Sequence, residues 1–94
     1  MSIVVRFAPA SLTAQKYDEA VSRVGEELGL GDSPPEGCEL HVCFGTDGDL
    51  RVSEIWDSRE QFAAFGERLM PVLAQVGIQP GEPEVFEVHN IMRR

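Results

Sequence analysis

Ninety-four residues with a formal net charge of −8 make one domain, residues 1–94, with a modest core and no room for a second. Eight Lys and Arg stand against sixteen Asp and Glu, and no basic run is longer than Arg93-Arg94. That excludes nucleic acid, whose affinity rests on cations neutralising phosphates, and an anionic membrane surface with it.

The opening apolar run Ile3-Val-Val5 is short and is broken by Arg6, so no signal peptide is expected. No stretch approaches the roughly 20 apolar residues of a membrane span. Ser2 to Ala8 reads as the first strand, with Ile3, Val5 and Phe7 on one face and Val4 and Arg6 on the other. Pro9 ends it. Thr13 has the chemistry of an N-cap for a helix from about Ala14 to about Leu28. Its expected buried stripe is Tyr17, Ala20, Val21, Val24 and Leu28, and Gly29 and Gly31 stop it. A loop with Pro34-Pro35 follows.

Cys38 to Phe44 and Leu50 to Trp56 read as two strands joined at Thr46-Asp-Gly-Asp49, a hairpin signal. A two-residue turn on Asp47-Gly48 sets Thr46 opposite Asp49. It also sets His41 opposite Glu54, Cys43 opposite Val52 and Glu39 opposite Trp56. Leu40, Val42, Phe44 and Ile55 then form an apolar face, expected to be the core. Cys38 and Cys43 lie an odd number of residues apart, so they point to opposite faces and do not pair. They read as reduced thiols of a cytoplasmic protein.

Ser58 and Gln61 have capping-box spacing at the start of a second helix, in which Phe62, Phe65 and Leu69 recur at helical spacing. Pro71 removes a donor and crowds the preceding turn, so a break is expected there, with a short new helix running to Gly77. Glu84 to Met92 reads as the last strand, with Phe86 and Val88 on one face and Val85, Glu87, His89 and Ile91 on the other.

The order β-α-β-β-α-β is the ferredoxin-like α+β arrangement: a four-stranded antiparallel sheet, order 4-1-3-2, with two helices on one face. The other face is expected to carry Val4, Cys43, Val52, Trp56, Val85 and Ile91, with Arg6, His41, Glu54, Glu87 and His89. A Trp among aliphatics does not suit an open wet face. The economical cover is the same face of a second copy, making a homodimer.

Glu54-Ile-Trp56-Asp-Ser-Arg-Glu-Gln-Phe62 resembles the strand-to-helix junction of the antibiotic biosynthesis monooxygenase-like superfamily of dimeric α/β barrels. The resemblance implies a small-molecule-binding barrel like the cofactor-independent monooxygenases, which act on phenolic or polycyclic aromatic substrates with no cofactor. A non-catalytic ligand-binding or structural dimer is the alternative. The haem-degrading members carry an aromatic at the position of Trp56, an Asn on the first strand and a His near the end of the second helix. Here the first strand offers Arg6, and no His occurs between Ser58 and Gly77.

His41 and Glu54 are the candidate catalytic pair: cross-strand neighbours can hydrogen-bond, and a carboxylate beside an imidazole suits proton transfer. The same pair would also serve as a satisfied polar contact that fixes register at a dimer interface. Trp56 is a packing anchor or a stacking wall for a planar ligand, with Val52 beside it. Arg6 is a counter-ion for a phenolate or a partner of Glu54 or Glu87, and His89 reaches the cavity or the second copy. No metal is expected, because no pair has HxxxH or HxH spacing.

Overall fold

The computed structural model describes all 94 residues. The chain runs β1 (Ile3–Phe7), α1 (Ala14–Glu27), β2 (Cys38–Thr46), β3 (Asp49–Trp56), α2 (Arg59–Val76) and β4 (Glu84–Glu87). The strands form one antiparallel sheet in the order β2-β3-β1-β4, which is the ferredoxin-like α+β topology.

The hairpin has the expected register: Thr46 faces Asp49, Cys43 faces Val52 and His41 faces Glu54. Gly48 takes a left-handed φ of 93° at the turn, which suits glycine because it lacks a Cβ. Asp47 is used twice. It helps form the turn, and its carboxylate accepts the Ala14 N–H at 2.9 Å, where the N-terminal end of α1 favours a negative group. Thr13 caps the same helix by accepting the Lys16 N–H at 3.1 Å.

Four expectations need correction. A bulge between Cys38 and Leu40 sets Cys38, not Glu39, opposite Trp56. Cys38 and Cys43 therefore share a face. They remain unpaired because their partners, Trp56 and Val52, are four residues apart, roughly 13 Å along a strand. The second helix does not break at Pro71 but runs through it to Val76. Met70 and Pro71 lie on its exposed side, and Val72 and Val76 turn inward. β4 stops at Glu87, opposite Ile3 where β1 begins, and one further bond, from the Val88 N–H to the Ser2 carbonyl at 3.0 Å, extends the pairing beyond it.

The fourth correction concerns which sheet face the helices cover. β1 pairs with β3 so that Ile3, Val5 and Phe7 stand beside Trp56, Glu54 and Val52. That face lies under the helices: Ile3, Val5, Cys38 and Trp56 form the core, with Phe62 and Phe65 of α2 packed on it. Leu40, Val42 and Phe44 are on the open face, 49%, 42% and 40% exposed. The expected core face is thus the open one, and His41, Glu54 and Trp56 sit beneath the helices.

Candidate active site

Two helices over a four-stranded sheet would ordinarily press side chains into the whole gap between the layers. Here the compact core occupies only the end around Trp56. Towards His41 and Val52 the layers enclose a cavity of about 630 Å³, open on one side. This is in the range that holds a drug-sized ligand. Val52, Phe62, Phe65, Leu69 and Leu73 give it an apolar wall, and α1 contributes Ala20, Val21 and Val24.

One end of the cavity is polar. The Trp56 Nε1–H donates to Glu54 Oε1 at 3.0 Å, and Glu54 Oε2 lies 2.6 Å from His41 Nδ1. His41 Nε2 lies 2.6 Å from the Tyr17 hydroxyl, whose ring stacks on the imidazole at a centroid distance of 6.0 Å. As a carboxylate, Glu54 offers acceptors only, so Nδ1 carries the hydrogen of their bond. In the neutral ring Nε2 is then a lone pair and accepts the Tyr17 hydrogen. Glu54 is 8% exposed, and burial at that level requires the partners it has. Burial, foremost, and the nearby Cys43, Glu54 and Asp18 push the Tyr17 phenol up from 10.0 to about 12. It therefore stays a neutral hydroxyl near neutral pH.

His41, Glu54 and Val52 line the cavity. Trp56 has no exposed surface. It stands behind the cavity, 5.7 Å from the rings of Phe62 and Phe65, where it anchors the core and orients Glu54 instead of stacking on a ligand. Arg6 lies opposite Ser53 and Glu84 on the open face and does not reach the cavity. His89 follows β4, is exposed, and does not line the cavity either. The residue that sequence reasoning missed is Tyr17. It was placed correctly on the buried stripe of α1, but a stripe aromatic reads as packing until the strand beneath its hydroxyl is known.

No protein-family model and no curated relative matches the chain. Solved structures do. SnoaB, a cofactor-independent oxygenase from Streptomyces nogalater, superposes with a TM-score of 0.61 at 13% identity, over 99% of this chain and 96% of that one. A candidate antibiotic biosynthesis monooxygenase from Deinococcus radiodurans gives 0.60 at 12%, over 100% and 98%. The chain shares its fold with these solved structures. Identities this low carry the fold and not the activity. A de novo designed protein, Foldit4, matches as well, with a TM-score of 0.53 at 18% identity, over 92% and 94%.

Proposed function

We propose that this single domain binds a phenolic or polycyclic aromatic molecule between its sheet and helices and acts on it as a cofactor-independent monooxygenase. We propose further that it works as a homodimer joined through the open sheet face. One observation carries the catalytic reading: the Glu54–His41–Tyr17 chain is a hydrogen-bonded polar end of a cavity whose sheet and helix walls are mainly apolar. An acid–base relay inside an apolar pocket is an arrangement in which proton transfer is effective. The likeness of fold to SnoaB agrees with it.

In this reading His41 is the base and Glu54 stabilises the imidazolium that forms. The Tyr17 hydroxyl occupies the Nε2 lone pair, so a ligand proton reaches His41 through it. The ligand gives its hydrogen to Oη as the Tyr17 hydrogen passes to Nε2. The electron-rich anion then reacts with dioxygen at a ring methylene. One oxygen atom stays in the product as a carbonyl and the other leaves as water with the two hydrogens lost from the ligand, the one taken up by His41 returning through Tyr17. Val52 and the Phe side chains hold the ring system and keep water away.

Oxygen uptake with a panel of anthrones and hydroquinones tests this. Wild type should show substrate-dependent uptake, and His41→Ala should lower kcat by about 10²–10⁴, the usual contribution of general acid–base catalysis. A folded protein that binds panel members without uptake is a ligand-binding protein. That reading has its own support, because no buried side-chain polar atom lacks a partner.

A further inference from the structure

The polar corner of the cavity has its hydrogens already committed. With a neutral imidazole, the Trp56 Nε1–H and the His41 Nδ1–H both go to Glu54, and the Tyr17 hydrogen goes to Nε2. What remains for a ligand in this corner is acceptor capacity, on Tyr17 Oη and the carboxylate; the one other hydroxyl lining the cavity, Ser33, is on the loop after α1. A hydroxyl can donate there, whereas an ether, a carbonyl or a carboxylate brings only acceptors to acceptors.

The charges point the same way. The titratable groups lining the cavity are Tyr17, Asp32, His41 and Glu54, with no Lys or Arg among them. The eight cations of the chain are spent elsewhere or turned away. Lys16 Nζ donates to the Val76 carbonyl at the end of α2, Arg23 holds Gln75 and Glu27, and Arg68 donates to the Leu28 carbonyl. Arg51 and Arg93 pair with Asp49 and Glu39. Arg6 is on the open face, and Arg59 and Arg94 are exposed at the start of α2 and the chain end. An anion in this cavity would lose its hydration and meet Glu54 with nothing to offset it.

From these two facts we infer that the cavity selects ligands that are uncharged on binding and carry a hydroxyl donor, and that it rejects carboxylates of the same size. A phenolate forms only inside, with His41 as its one counter-charge. This rests on the ligand-binding reading above and sharpens it.

Calorimetric titration at about pH 8 with 2-naphthol, 2-methoxynaphthalene and 2-naphthoate tests it, since the three share one ring system. Naphthol should bind at least about tenfold more tightly than the ether, the loss expected when a donor is removed from a buried site. Naphthoate should bind more weakly than naphthol by at least as much. Naphthol-induced amide shifts should cluster at Tyr17, Val52, Phe62 and Leu69. Equal affinities, or tightest binding of naphthoate, would overturn the selection rule and leave ligand binding intact. Shifts confined to the open sheet face would show that the bound site is not this one and overturn the rule for this cavity. No binding by any of the three would remove both the rule and the binding reading.

Discussion

Tyr17 is the only tyrosine in the chain, so its environment can be read from a single absorbance titration. Burial raises its phenol to about 12, and burial likewise raises the Cys38 thiol from 9.0 to about 11. Each group holds its proton in the folded protein where the unfolded chain has released it. Their contribution to stability is therefore complete below about pH 9 and falls as pH rises from there to about 12. The phenolate absorbance should have its midpoint near 12 in the folded protein and near 10 in denaturant, and Tyr17→Phe should flatten the upper part of the stability loss. A midpoint of 10 in the folded protein would mean that the hydroxyl is not buried between α1 and the sheet. The pairing of His41 with Glu54 was legible in the sequence because Asp47-Gly48 fixes the hairpin register with no need for tertiary information. The place of Arg6 was not. β1 joins the sheet through a long connection, so nothing local sets its phase against β3.

At the level of elements, the sequence marked every helix and strand but misjudged where two of them yield to their neighbours. β4 carries alternating residues as far as Met92, yet a strand lasts only as long as its partner, and β1 begins at Ile3, with a single further bond from Val88 to the Ser2 carbonyl. Pro71 was expected to end a helix. It is accommodated because its ring sits on the exposed side, while Val72 and Val76, in the turn that follows it, bury against the core. Tertiary burial outweighs the local penalty here. Pro71→Ala should therefore raise stability, by about 1–3 kcal/mol, measured as a shift of the urea midpoint at constant slope. A loss of stability would mean that the helix geometry around residue 71 is itself required for packing. The cap at Ser58 was read almost correctly. Ser58 Oγ accepts the Gln61 N–H at 3.1 Å, but the Gln61 side chain accepts from the Ser58 hydroxyl at 3.0 Å and does not reach the backbone.

For the molecule as a whole, the question is what covers the second face of the sheet. Alternation sorts residues into two faces but does not say which lies under the helices. The usual tie-breaker, that the more apolar face is the core, fails when both are apolar. Trp56 leading straight into a helix with Phe62 and Phe65 was the better guide. The open face keeps Leu40, Val42 and Phe44, along with Phe86, which is 53% exposed, and Val4 and Ile55 are half-buried beside them. A contiguous patch of this kind on a small acidic chain marks an interface. A twofold dimer brings each patch against its own copy and closes both at once. Size-exclusion chromatography with light scattering at micromolar concentration should give twice the chain mass. Phe86→Glu should shift the protein to monomer, since the new carboxylates would be buried against apolar side chains across the interface. Tyr17, His41 and Glu54 all belong to one chain and lie on the opposite face of the sheet, so the monomeric variant should still bind 2-naphthol. A wild-type monomer would refute the dimer, and a monomeric variant that no longer binds naphthol would show that the open face supports the cavity through the sheet.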